Sequence, residues 1–286
     1  MDAVKTILIT GTTGFLGSHI AHRLVNKYKV ISLKRHLSNT WRIKDILDRM
    51  IHYDVDKTDL KAIFENHSIH TIIHTATNYG RSNDSLTDII KTNLLFPMKL
   101  IELAMEYNVS NFFNTDTVAN RSLNPYSLSK KQFCDWFKYI TKRIRVVNIK
   151  LEHFYGPKDD DSKFVMFLIN KMKKNEPLDL TQGEQIRDFI YIDDVVNAYE
   201  TLLNNVSFLN ELYDEFEIGT GIPIRIKDLV LLIKKYTRTS SMINFGVIPY
   251  RDNEIMESKS DISKILAMNW QPKVSLDQGI NYTISK

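Results

Sequence analysis

Tyr126 and Lys130 stand four residues apart in the run Tyr126-Ser127-Leu128-Ser129-Lys130. On a helix that spacing puts both side chains on one face. A phenol near an ammonium has its ionised form favoured, so it can exchange a proton near neutral pH. Thr115 ends the preceding apolar run, Asn111-Phe112-Phe113-Asn114-Thr115, and its hydroxyl can hold a reacting oxygen beside the phenol. With a bound redox cofactor, the set is enough for hydride transfer coupled to proton donation to a carbonyl oxygen.

The cofactor signal lies at the other end of the sequence. Thr10-Gly11-Thr12-Thr13-Gly14-Phe15-Leu16-Gly17 follows the apolar run Thr6-Ile7-Leu8-Ile9 and opens an amphipathic segment, residues 18–26. That context predicts a buried strand, a glycine turn and a helix start. Gly11 suits a sharp turn, Gly14 leaves room for a pyrophosphate, and Gly17 allows close helix–strand packing. The N–H groups from Thr13 through Phe15, Leu16 and Gly17 then face the phosphates, aided by the helix dipole.

A second strand, residues 29–33, ends in Lys34-Arg35-His36. An acidic residue here suits the ribose hydroxyls of NAD, a basic one the 2′-phosphate of NADP. Two cations and no acid predict NADP, with NAD as the alternative. Residues 51–55 form a short strand, where Asp54, followed by Val55, can accept from an adenine amino group. Residues 71–76 form the next strand, and Thr75, Ala76 and Thr77 lie where small residues fit under a cofactor. His74 is expected to be a packed structural histidine.

These residues need a scaffold. Residues 84–108 carry Leu86, Ile89, Ile90, Leu94, Met98, Ile101 and Met105 at helical spacing. Asn93 sits inside that pattern, and Pro97 is expected to kink the helix. Residues 125–143 form another helix and residues 145–151 another strand. Strands alternating with helices predict an α/β fold, a doubly wound parallel sheet of the Rossmann kind. From Tyr155 the rhythm changes. Helices are expected over 164–174, 193–204, 226–236 and 261–267, with extended chain over 185–192 and 216–219. The expected division is a dinucleotide-binding domain, 1–154, and a smaller substrate lobe, 155–286, with roughly 187–204 packing back on the first domain.

Composition narrows the classes. The chain has 286 residues, 43% hydrophobic and 25% charged, enough for a full core. The net charge of +4 is scattered rather than clustered, which argues against nucleic acid and suits small anions. The single cysteine, Cys134, rules out an intrachain disulfide framework and a Cys-based zinc site, and no metal is expected. No apolar run approaches the ~20 residues of a membrane span. The N-terminus lacks a basic region followed by an apolar one, so a cytoplasmic protein without a secretory leader is expected.

The motifs taken together resemble the extended short-chain dehydrogenase/reductase family of nucleotide-sugar epimerases, dehydratases and reductases, over nearly the whole chain. The family's TGxxGFxG is similar to Thr10–Gly17, its adenine-side aspartate to Asp54, and its helix asparagine to Asn93. Its Ser/Thr, Tyr and Lys match Thr115, Tyr126 and Lys130. Its R-x-x-N-x-Y-G-P matches residues 150–157 with Lys150 for arginine and His153 for asparagine. Its R-x-F-x-x-V-x-D matches residues 187–194 with one extra residue. Residues 114–117, 151–157, 183–190 and 251–256 further resemble the branch that reduces C4 of CDP-linked 4-keto-3,6-dideoxy sugars.

The resemblance implies a nucleotide-diphosphate sugar as substrate and a place in bacterial surface polysaccharide synthesis. It implies substrate contacts from Thr115, Asp116, His153, Lys163, Arg187 and Arg251. The two arginines can clamp a diphosphate bidentately. It also implies a homodimer through a four-helix bundle, to which the two helices bring Ile90, Leu95, Phe133, Trp136 and Phe137. Related dehydratases carry Thr-Asp-Glu where this chain has Thr115-Asp116-Thr117, so the acid is present and the base is not. NADPH-dependent reduction at C4 is the expected reaction. An epimerase or dehydrogenase that keeps its cofactor, and a non-catalytic cofactor-sensing protein, are the alternatives.

Overall fold

Strand β1, Thr6–Thr10, is buried along its whole length, as a strand covered by helices on both faces must be. The computed structural model describes residues 4–81, 84–141, 143–209 and 211–285. β2 (Lys29–Lys34), β3 (Ile51–Asp54), β4 (Thr71–His74), β5 (Asn111–Thr117) and β6 (Arg145–Leu151) join β1 and the strand Tyr213–Ile218 in one seven-stranded sheet. The order across it is Tyr213–Ile218, β6, β5, β4, β1, β2, β3. The pairs β1–β2, β1–β4, β2–β3 and β4–β5 run parallel. The order turns back at β1 and β4, the switch point at whose strand ends such sheets bind ligands.

Helix α1, Phe15–Leu24, follows β1 directly. Helix α2, Leu60–Asn66, is capped by Asp59, whose side chain accepts from the Lys61 N–H. Residues Trp41–Arg49 form a 3₁₀ helix. The long helix expected over 84–108 is three pieces: α3 (Leu86–Ile90), a π-helical turn (Lys91–Leu95) and α4 (Phe96–Glu106). Pro97 has no N–H to donate back to the carbonyl of Asn93, and the wider turn sits at that gap. The helix after β5 breaks at Trp136 into α5 (Pro125–Asp135) and a short helix, Phe137–Ile140. Asn124 accepts the Ser127 N–H at 2.9 Å and Pro125 opens the first turn, which fixes where α5 begins.

The chain divides into two compact units, Met1–Lys150 with Tyr199–Phe216, and Leu151–Ala198 with Glu217–Lys286. In the first, Leu8, Ile31, Ile72, Leu100, Phe112 and Phe133 belong to one buried cluster. Phe133 and Phe137 are core residues here, while Ile90, Leu95 and Trp136 remain exposed. In the second, helix Ile226–Thr237 packs against helices Phe164–Lys173 and Leu276–Ser285. The last of these helices was not expected from the sequence. Among the described residues no helix is long and apolar enough to cross a membrane.

Candidate active site

The glycine turn is tight where it meets the sheet and open at its tip. Gly11 has φ +70°, and a Cβ there would lie 2.9 Å from the backbone of Ala76. A Cβ on Gly17 would lie 2.2 Å from the Gly11 carbonyl oxygen. Gly14, by contrast, is exposed and begins α1 with no side-chain cap and no acidic residue in the first turn. The first N–H groups of α1, over Phe15, Leu16 and Gly17, therefore keep their capacity for an anion. Thr10 ties β1 to β4. Its hydroxyl accepts the N–H of Thr75 and of Ala76, each at 3.1 Å, and meets His74 Nδ1 at 2.9 Å. His74 is wholly buried among Phe96, Phe112 and Phe133, and burial pushes its pKa down. It is a packed neutral ring.

The basic corner after β2 differs from the sequence picture. Lys34 and Asp54 face each other in the β2–β3 register, and the Lys34 ammonium forms an ion pair with Asp54. His36 Nδ1 meets the other carboxylate oxygen at 2.8 Å. The hydrogen bond from Lys34, then that from His36, holds Asp54 below the usual carboxylate range. Lys34 is thus balanced, and Val55 donates its N–H to the Lys34 carbonyl at 2.8 Å. Arg35 is exposed. Arg42 supplies a third cation that sequence reasoning missed. Its guanidinium lies 4.5 Å over the Trp41 ring and donates to the Thr13 carbonyl at 3.3 Å.

Asn93, in the π turn, is buried and spends its amide on neighbours. It accepts from Thr77 Oγ1 at 3.1 Å and the Asn78 N–H at 2.7 Å, and donates to the Asn78 carbonyl at 2.8 Å and Ser129 Oγ at 2.9 Å. It holds the turn after β4 against α5.

Along β5, side chains alternate between faces. Thr115 and Thr117 share one, and Asp116 takes the other. Asp116 is buried. Its carboxylate accepts from Lys131 Nζ at 2.7 Å and Asn148 Nδ2 at 3.3 Å, and lies 3.5 Å from Cys134 Sγ. Thr115 Oγ1 meets the Tyr199 hydroxyl at 2.7 Å. The Tyr126 phenol is hydrogen-bonded by Thr117, which accepts the Ala119 N–H at 3.1 Å. Strand alternation was the signal available for Thr117.

The ionisation of Tyr126 also departs from expectation. Burial pushes the phenol pKa well up, and the charges of Tyr79, Asp116 and Tyr199 act the same way. The hydrogen bond from Thr117 acts the other way and lowers it. Lys130 lies 2% exposed, with no hydrogen bond or ion pair among the described residues, and burial pushes its pKa down. Burial favours the protonated phenol, and it also disfavours the Lys130 ammonium, an effect that the charge of Asp116 opposes from beyond ion-pair distance.

In the second unit, Arg187 is buried in a short strand. It forms an ion pair with Glu254 at 2.8 Å and donates to the carbonyls of Ile186 and Ile255. His153 is exposed, with Nδ1 3.0 Å from the buried Glu152, which also accepts from Ser258 Oγ at 2.6 Å. Arg251 is exposed, and Lys163 precedes helix Phe164–Lys173. Asp188, which the sequence reading left without a role inside the segment 183–190, is wholly buried and accepts the N–H groups of Thr220 and Gly221 at 2.8 Å each.

Three comparisons bear on this arrangement. The NAD dependent epimerase/dehydratase family model matches residues 7–219. A CDP-abequose synthase of Salmonella muenchen is 35% identical over 295 residues, covering 100% of this chain and 99% of the relative. A putative UDP-glucose 4-epimerase of Methanocaldococcus jannaschii is 26% identical, covering 98% of this chain and 97% of the relative. Among solved structures, a UDP-glucose 4-epimerase of Thermotoga maritima with UDP-glucose has a TM-score of 0.87 at 24% identity, covering 98% of this chain and 97% of that one. That likeness shows the fold.

Proposed function

The chain belongs to the NAD dependent epimerase/dehydratase family and is a nucleotide-sugar-modifying enzyme of the extended short-chain dehydrogenase/reductase type, and from that premise we propose that it reduces the C4 keto group of a CDP-linked 4-keto-deoxy sugar with NADPH. The observation that carries the reading is the end of β5. The face that meets Tyr126 offers the hydroxyl of Thr117 and no carboxylate, while Asp116 is turned away onto Lys131. Elimination of water needs a base to take a proton from carbon, and a hydroxyl does not serve near neutral pH. Reduction needs a proton donor, and Tyr126 is held in its protonated form.

The residues fit a dinucleotide. The uncapped start of α1 would take the pyrophosphate, and Lys130 Nζ, buried and without an ion pair among the described residues, would take the hydroxyls of the nicotinamide ribose. When bound, the nicotinamide supplies the hydride that goes to C4. Tyr126 gives its proton to the C4 oxygen as negative charge develops there. Thr117, its oxygen fixed by the Ala119 N–H, directs its own proton at the phenolate that remains. Solvent then restores the proton. Thr115 orients the sugar oxygen from the neighbouring position on the strand. What supports NADPH over NADH is the exposed Arg35 together with Arg42 at the glycine loop, since Lys34 is already balanced by Asp54. The CDP base and the bacterial surface-polysaccharide role rest on the 35% identical relative. The exposed Ile90, Leu95, Leu128 and Trp136 support a homodimer through a four-helix bundle. A monomer mass in light scattering at micromolar concentration would remove that part of the proposal.

The test is loss of NADPH absorbance with a CDP-4-keto-3,6-dideoxyhexose. Tyr126→Phe abolishes it while NADPH still binds. Formation of a 4-keto product from CDP-glucose, with no NADPH consumed on keto sugars, overturns the assignment.

A further inference from the structure

We infer that Tyr79 selects the sugar, taking the deoxygenated side of the ring that is held at Tyr126; this rests on the part of the reading above that sets a nucleotide sugar with its C4 oxygen at Tyr126, not on the direction of the reaction. Tyr79 lies in the turn after β4. Its ring centroid is 4.9 Å from that of Tyr126, with the planes 36° apart. The Arg81 guanidinium stands 5.3 Å from the Tyr79 ring centroid. Even so, Tyr79 remains 38% exposed. A large aromatic side chain left open beside a proton donor presents surface to whatever the donor acts on.

The placement is built into the fold. Asn93 grips Asn78, the residue before Tyr79, by both its N–H and its carbonyl. On the other side, the Gly80 N–H donates to Asn78 Oδ1 at 2.8 Å. Gly80 has φ +66°, and a Cβ there would lie 2.7 Å from Ile89 Cδ1. The backbone is thus fixed on both sides of Tyr79. The same Asn93 donates to Ser129 Oγ, which in turn donates to the Tyr126 carbonyl at 2.8 Å. One buried amide therefore sets the two rings in register. A buried side chain with its polar groups satisfied on several elements is a rigid reference point.

The chemistry of the surface follows. A sugar whose C4 oxygen meets the Tyr126 hydroxyl must set carbons next to C4 near the Tyr79 ring. An aromatic face accepts C–H groups well. It offers little to a hydroxyl, which loses its water and gains no equal partner. A sugar lacking hydroxyls on those carbons is favoured, and a fully hydroxylated hexose is disfavoured.

The test is calorimetric titration of the NADP⁺-loaded protein with a CDP-3,6-dideoxyhexose and with CDP-glucose. The wild type binds the dideoxy sugar about tenfold or more tightly over the other, the scale of one apolar contact in a pocket. Tyr79→Phe keeps the preference. Tyr79→Ala loses it, mainly by weaker binding of the dideoxy sugar, with NADP⁺ affinity and Tm unchanged. Absence of any preference in the wild type, a preference that survives Tyr79→Ala, or equal losses for both sugars each overturns the inference. Reductase activity is read separately. A wild type that shows the preference but consumes no NADPH on keto sugars sinks the reductase reading and leaves this one standing.

Discussion

Lys130 and Arg187 are both buried cations, one in each unit, and the chain treats them in opposite ways. Arg187 has a carboxylate and two carbonyls on its guanidinium. Lys130 has no hydrogen bond or ion pair among the described residues. A desolvated charge without a partner costs free energy that only a ligand or a deprotonation can recover. A paired charge is already spent on the fold. The difference separates a buried cation without an ion pair among the described residues from one that already holds a loop, so a diphosphate at Arg187 would have to compete with Glu254.

The strongest way to break that comparison is to remove each cation in turn. Lys130→Met is expected to lower kcat on the order of 10²-fold, as loss of a group that positions the nicotinamide against the substrate does. Its Tm should hold or rise. The folded pKa of Lys130 lies below its unfolded value, so the charged form is disfavoured in the folded state at neutral pH, and deleting it relieves that penalty. Arg187→Met should do the reverse on stability. It leaves Glu254 without its partner, for a loss of about 2 kcal/mol in this partly buried pair, seen as a Tm lower by several degrees. Equal Tm changes for the two variants would erase the distinction.

The same rule separates two threonines on one strand. Thr115 is satisfied by Tyr199, and Thr117 serves Tyr126. Thr117→Val should reduce kcat about tenfold, with Thr117→Ser restoring most of it. Thr117 is the neighbour that lowers the Tyr126 pKa, so its loss raises the pKa further. Reduction fails at high pH when Tyr126 loses its proton. The basic limb of the pH–rate profile therefore moves up in Thr117→Val and stays in place in Thr115→Val. A limb that moves down, or moves only in Thr115→Val, would reverse the two roles.

How far these roles were legible depends on how local their causes are. The glycine turn, β1, β4, β5 and the Tyr126–Lys130 spacing were readable because each is set by neighbours within a few residues. Pro97 announced a break in its helix, though not that the break takes the form of a π turn centred on Asn93. The pairing of Thr115 with Tyr199 joins positions 84 residues apart and depends on how a later helix lies on the sheet. No pattern in β5 carries it. Tyr79 sits in an aperiodic turn, and its meeting with Tyr126 comes from hydrogen bonds that join three elements, the turn after β4, the π turn and α5. The helix Leu276–Ser285 escaped because Gly279 and Thr283 occupy buried positions where the pattern calls for larger apolar residues. A Cβ on Gly279 would stand 2.2 Å from the Tyr155 hydroxyl, so that site has no room for one.

The smallest expected effect tests the rule at the cofactor corner. Lys34 and Arg35 were read as an equivalent pair, but strand register separates them. Lys34 faces Asp54 across β2–β3 and is paired with it, with His36 on the same carboxylate. Arg35 is exposed and, among the described residues, its side chain has no partner. Arg35→Ala should weaken NADPH binding by about tenfold, one charge-assisted contact, and leave NADH little changed. Lys34→Ala alone is not a clean probe, because it leaves the Asp54 charge to repel a 2′-phosphate. Removing both, Lys34→Ala with Asp54→Asn, deletes the pair and its net charge of zero together. That double variant should stay within about threefold of the wild type in its preference for NADPH. If it instead loses as much preference as Arg35→Ala, the Lys34 ammonium leaves Asp54 for the phosphate on binding. A paired cation would then not be a spent one, and the distinction drawn from Lys130 and Arg187 would fail at this corner.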